Sequence, residues 1–221
     1  MSENQSNVKV AVVIGLLLTI ADFTAGFLAY PYLPEKVPTH WNISGEVNGW
    51  GSAWQGAFLL PLIMLGVFLL LVFIPKIDPK RKSYAQMSKP YSAIVLVTML
   101  FLSVMYFGTL GASLGYFKTV PSLVYLGVGA LFMVIGNYMG KLKHNYFMGI
   151  RTPWTLSSEE VWYKTHRMAG PFWVIGGILF MVSSLLPTGF MTPIILIIIF
   201  GLAVIPVGYS YVIFRRLERE K

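Results

Sequence analysis

WQGAFLLPLIMLGVFLLLVFIPKIDPKRK, residues 54–82, holds the two signals that decide the fold. The part from 54 to 74 carries no charge and has the length of roughly 20 residues that a helix needs to cross a ~30 Å hydrocarbon core. In lipid every backbone N–H and C=O has to find its partner inside the segment, so a run of this kind is a helix. Pro75 ends it, and Lys76, Lys80, Arg81 and Lys82 follow at once. Cations gathered at the end of a span mark the cytoplasmic side.

Outward from this stretch, five further runs read the same way: 8–30, 91–115, 121–140, 168–186 and 192–214. The connections between them alternate in charge. Of the 17 Lys and Arg residues, all but Lys36 and Lys118 fall on one set: Lys9, the loop with Lys89, the loop from Lys141 to Arg167, and the tail with Arg215, Arg216, Arg219 and Lys221. An even number of spans is needed to keep that alternation. The expected fold is therefore an all-α membrane protein, a six-transmembrane-helix bundle with both termini cytoplasmic. It reads as a single integral membrane domain over 1–221, with an N-terminal helix pair (8–75, outer loop 31–53) and a four-helix part (91–214, inner loop 141–170).

Composition points the same way. Charged residues make up 12% of the chain, against about a quarter in soluble domains. A net charge of +8 would raise nucleic acid as a partner in a soluble protein. Here the cations flank apolar runs, so direct nucleic-acid binding is not expected and the lipid bilayer is the first partner. The absence of cysteine excludes disulfides and thiolate metal sites. The leader MSENQSNVK and the interruption of the next run by Asp22 read as a retained span, not a cleaved signal.

Asp22 is the acidic residue inside a span, and such residues face a bundle interior or water. At ~1.5 Å per residue it lies in the outer half of its helix. Tyr106, Ser183, Thr24 and Thr109 fall at similar depth, so an outer polar pocket is expected. Above it, the loop PYLPEKVPTHWNISGEVNGWGSA reads as a turn-rich excursion. Outer ligand-binding candidates are Asp22, His40, Trp41, Asn42 and Tyr106. Trp50 and Trp54 read as interfacial anchors, and a single histidine there does not make a metal site.

The inner loop, KLKHNYFMGIRTPWTLSSEEVWYKTHRMAG, is denser. Ser157 as N-cap with Glu160 at N3 reads as a capping box, with Pro153 restraining the backbone before it. A short amphipathic helix over 158–168 is expected in this fourth loop, leading into the fifth span. Arg151, Lys164 and Arg167 are placed to meet acidic groups or lipid phosphates, and Arg151 to pair with Glu159 or Glu160. Gly176 and Gly177 on the fifth span, with Gly201 and Pro206 on the sixth, mark places for close packing or bending. No cofactor is expected, and there is no HExxH, GxSxG or Walker pattern.

Two stretches resemble a known family. Residues 33–52, LPEKVPTHWNISGEVNGWGS, are similar to the extracytoplasmic signature of the N-terminal domain of SdpI-like membrane proteins. Residues 145–170, NYFMGIRTPWTLSSEEVWYKTHRMAG, resemble the cytoplasmic signature of the SdpI family itself. The matching positions include Asn145, Gly149, Arg151, Thr152, Pro153, Trp154, Thr155, Glu160, Trp162, His166 and Arg167. The resemblance implies a multi-pass protein of the bacterial cell membrane that gives immunity to a secreted peptide toxin. It also implies signalling through a transcriptional repressor held at the inner face, with these residues as the partner-binding surface. Two other classes stay open on the residues alone: a small transporter using Asp22 as a proton or cation site, and an enzyme acting through His144, His166 and Glu160.

Overall fold

The computed structural model describes residues 3–116 and 120–220. Lys118 and Lys221, both counted in the charge asymmetry, lie outside the described residues. In chain order the elements are α1 (Glu3–Ala29), a 3-10 turn (Tyr30–Tyr32), β1 (Lys36–Trp41), β2 (Val47–Ser52), α2 (Ala53–Ile77), α3 (Lys82–Gln86), α4 (Ser88–Ser113), α5 (Pro121–Met139), α6 (Pro153–Ser157), α7 (Glu159–Ser183) and α8 (Thr188–Arg219).

The chain is a helical membrane protein, with three departures from expectation. First, five helices among the described residues, α1, α2, α4, α5 and α8, are long and apolar enough to cross a membrane, where six were expected. The fifth expected span lies in α7, whose first residues, EEVWYKTHR, are polar, so its apolar part is short. Second, the amphipathic segment is not a separate helix: 159–167 runs straight into the apolar part of α7. Third, the outer loop contains strands. β1 and β2 form an antiparallel hairpin with register shifts between Pro38 and Trp41. Its turn is closed by the Asn42 and Glu46 backbones and by Gly45 at φ 86°, a conformation that glycine adopts without penalty. Ser52 and Gln55 then form a capping box that starts α2.

α1 packs on α2 and α4, α5 and α8 flank α7, and contact between α4 and α5 joins the two groups. The outward faces are apolar. Leu17, Phe27, Leu28, Ile197, Phe200 and Val212 are all exposed, a surface that in water would be an association liability and in a bilayer meets acyl chains.

Two prolines inside α2 explain why two tyrosines of α4 are buried. A proline has no N–H, so the carbonyl four residues earlier loses its helical partner. Pro61 frees the carbonyl of Ala57, and Pro75 frees that of Leu71. The Tyr106 hydroxyl donates to Ala57 O at 2.9 Å, and the Tyr91 hydroxyl donates to Leu71 O. Tyr106 is thus occupied in holding α4 to α2. Gly26 of α1 leaves room for this bond, because a Cβ there would lie 2.5 Å from Ala57 O and 2.8 Å from the tyrosine oxygen. Tyr106→Phe is expected to cost about 1–2 kcal/mol of stability. It should cost far less in a Pro61→Ala background, where residue 61 regains its N–H. Equal losses of thermal stability in the two backgrounds would give the hydroxyl another role.

The α5–α7 pair is set by glycines seven residues apart. Gly129 faces Gly177, and Gly136 faces Gly170, in antiparallel register. A Cβ at Gly129 would lie 2.7 Å from Gly177 O, and one at Gly136 would lie 2.7 Å from Gly170 O. Close backbone approach through small residues is the usual way that helices associate in lipid.

Candidate functional site

At the end that carries the basic loops, residues 141–158 fold into a cap over the helix ends. Asn145, fully buried, organises its start. Its Oδ1 accepts from the N–H groups of Phe147 (2.9 Å) and Met148 (2.7 Å), and its Nδ2 donates to the carbonyls of Lys143 (2.9 Å) and Met148 (3.1 Å). One side chain therefore satisfies a loop that has no ladder of its own, which buried backbone requires.

His166 holds the next part. Its Nδ1–H donates to Trp162 O (2.8 Å), so its Nε2 is free to accept from the Ile150 N–H (2.9 Å). Burial holds the imidazole down at about 4, which keeps that acceptor available. The ring stacks on Trp162 at 4.0 Å between centroids, and the Trp162 indole N–H donates to Leu142 O at 2.9 Å. Gly149, at φ 104°, lies under the ring, where a Cβ would come within 2.4 Å of His166 Nε2.

The capping box in this loop sits earlier than expected. Thr152 caps α6, accepting from Thr155 N–H (3.1 Å), while Thr155 Oγ1 accepts from Thr152 N–H (2.9 Å). Pro153 at the first helical position fits a site that needs no N–H donor. Ser157 is inside α6 and donates to Trp154 O, so Ser158 caps α7 instead. Thr152 also bonds Ser210 of α8 at 3.0 Å, and Trp154 meets the Tyr211 ring at 5.0 Å. These contacts tie the cap to the last helix.

The N-terminal part of the chain enters the cap through Asp78, Lys80 and Ser83. Asp78, at the C-terminus of α2 and 2% exposed, accepts from Tyr84 Oη (2.8 Å), Tyr146 N–H (3.0 Å) and Lys80 N–H (2.7 Å). Ser83 donates to His144 O at 2.9 Å. Lys80 Nζ lies 2.7 Å from His144 Nδ1 and 3.2 Å from Glu159. Burial and the Lys80 charge lower the His144 pKa, and the same lysine lowers that of Glu159. Arg151 does not pair with Glu159 or Glu160 as expected. It donates to Tyr146 O at 3.0 Å, while Glu160 pairs with Lys164 at 2.7 Å. The available signal was Asp78 itself, the lone acid among the cations between α2 and α4.

The cap thus sorts the signature residues. Asn145, Thr152, Thr155, Trp162 and His166 are buried and hold the loop, whereas Arg151, Pro153, Glu160 and Arg167 are exposed. Among the described residues no three of His, Asp and Glu converge to hold a metal ion.

The outer polar pocket is not assembled as expected. Asp22, fully buried, accepts from Ser103 at 2.7 Å, and its other oxygen has no partner among the described residues. Ser183 bonds Phe180 O on α7, which packs on α5 and α8. Thr24 is exposed and bonds Ile20 O. Instead, a cavity of about 440 Å³ opens between β1, the C-terminal half of α4 and the N-terminal part of α5, lined by His40, Trp41, Asn42, Met105, Thr109 and Tyr125 among others. The Trp41 indole nitrogen is buried without a partner among the described residues. Asn42 has two jobs, since its amide also accepts from Glu46 N–H at 2.9 Å to close the hairpin turn.

Comparisons with known proteins match both regions. Residues 141–210, the cap with α7 and most of α8, match the SdpI/YfhL protein family. Residues 17–65, from α1 through the hairpin into α2, match a domain of unknown function, DUF1648. The Immunity protein SdpI of Bacillus subtilis (strain 168) is 27% identical over 206 residues, covering 93% of this chain and 97% of the relative. No solved structure shows significant similarity.

Proposed function

The chain belongs to the SdpI/YfhL family, and from that premise we propose that this multi-pass cell-membrane protein confers immunity to a secreted peptide toxin. The observation that carries the reading is the end-to-end similarity to an immunity protein, which spans hairpin, helices and cap alike. The outer cavity is the proposed ligand site. Its lining is mostly apolar, with His40 and Thr109 among its polar members, and the buried indole N–H of the lining residue Trp41 has no partner among the described residues, a combination that suits an apolar peptide side chain.

In the proposed topology α7 is a sixth span and both termini are cytoplasmic. The antiparallel glycine register with α5 and the basic residues at the cap end support this. This topology has the hairpin and its cavity outside, and the exposed Arg151, Pro153 and Glu160 inside, where a transcriptional repressor would dock. The 8–75 and 91–214 parts then act as one domain, joined at Asp78 and Lys80.

The test is survival. A sensitive bacterium expressing the chain should grow in the presence of a secreted peptide toxin. Met105→Trp, which fills the cavity, should remove protection at an unchanged protein level. Failure to protect against any such toxin would sink the reading. Full protection by Met105→Trp would move the ligand elsewhere. The transporter alternative predicts instead a proton or ion flux in liposomes that Asp22→Asn abolishes.

A further inference from the structure

Beside the cap, a groove of about 620 Å³ runs between α5 and α7. Its lining includes Gly136, Gly140 and Gly170, and Gly136 and Gly170 meet backbone to backbone. Lys141 and Arg167 stand at its mouth with the Asn137 amide beside them. Neither cation meets a carboxylate among the described residues. Lys141 Nζ lies over the Tyr138 ring at 5.0 Å, and Arg167 is exposed. Farther along, the wall becomes Pro171, Val174 and Ile175, with no acidic residue in the lining. From Arg167 to Ile175 the helix rises by ~12 Å, at ~1.5 Å per residue.

We propose that this groove binds one anionic phospholipid, its phosphate between Lys141 and Arg167 and an acyl chain against Val174 and Ile175. The graded lining selects the occupant. Two uncompensated cations at the level of the headgroups call for an anion, with Arg167 able to bond a phosphate through two N–H groups. An apolar wall descending from the same point calls for a hydrocarbon tail, which a free anion or a soluble protein segment lacks. Basic pockets between helices at the inner face take headgroups for this reason. The proposal rests on the proposed membrane placement of α5 and α7 but on no toxin, so lipid binding and immunity can fail separately.

The experiment uses the full chain purified in detergent, with phosphatidylglycerol or phosphatidylcholine added and bound lipid counted by native mass spectrometry. The wild type should prefer phosphatidylglycerol. Each cation is expected to supply about fivefold of that preference, so Lys141→Gln/Arg167→Gln should lose most of it. Val174→Trp keeps both charges and narrows the wall, and it too should bind less phosphatidylglycerol. It guards against a folding fault in the double variant. Arg81→Gln/Lys82→Gln removes two cations elsewhere on the same face and should behave as wild type. Equal binding of the two lipids, equal loss in the Arg81/Lys82 variant, or full displacement by inorganic phosphate would each overturn the proposal.

Discussion

Gly177→Leu should leave little folded protein in the membrane. A Cβ at this position would lie 2.6 Å from Gly129 O, 2.8 Å from Met133 Cγ and 3.0 Å from Met133 N. Two of these three atoms are backbone in the middle of a helix and cannot turn aside. The leucine has to push α5 and α7 apart, and the same register carries the Gly136–Gly170 contact, so that contact is lost as well. Ordinary overpacking costs about 1–3 kcal/mol. With a backbone pair opened in addition, a loss at or above the top of that range is expected. In lipid no hydrophobic effect restores the pair, because acyl chains are as apolar as leucine. Gly66→Leu is the matched control, since nothing lies within 4 Å of a Cβ there. Size-exclusion profiles of the detergent-solubilised variants would decide. A Gly177→Leu profile like that of Gly66→Leu would mean that the close crossing has no energetic weight.

Asp78→Ala is expected to have the next largest effect, and by a different cause. The carboxylate receives three donors, two of them from Tyr84 and Tyr146. Removing it leaves the Tyr84 hydroxyl with only its long contact to Asn145 Oδ1 at 3.4 Å, and the part-buried Tyr146 amide with no acceptor among the described residues. An unsatisfied group of this kind costs about 1–3 kcal/mol. The third donor, Lys80 N–H, sits nearer to water. The damage should be local as well as global. Hydrogen exchange at the Tyr146 amide should rise sharply, because that bond ties the end of α2 directly to the cap backbone. Asp78→Asn keeps one acceptor oxygen and should fall between the two. Unchanged exchange at Tyr146 in Asp78→Ala would remove Asp78 from the cap.

The long helices were legible because each is an apolar run bounded by charge or proline, a pattern that depends on neighbouring residues alone. The hairpin was not, because prolines and glycines interrupt its alternation and its strands are held by each other and by α2 and α4. α7 was misdivided for a related reason: polarity changes at Arg167 while the backbone continues helical through it. The cap was legible in part. Asn145, Thr152, Thr155, Trp162 and His166 stood out as a signature, yet their side chains point inward. A loop without a ladder needs buried polar groups to serve its backbone, and a sequence does not say which polar residues these are. Asp78 stood out only as a lone acid among cations, and its role did not, since two of its partners lie 6 and 68 positions away. On α4, Tyr106 looked like a ligand residue, whereas its hydroxyl is taken up by the Ala57 carbonyl.

The proline carbonyls of α2 also set an order of events during synthesis. Ala57 and Leu71 leave the ribosome before Tyr91 and Tyr106. For the interval in between, α2 carries two open acceptors in an environment that supplies no donor. The first helix pair is therefore incomplete in its hydrogen bonding until α4 packs against it.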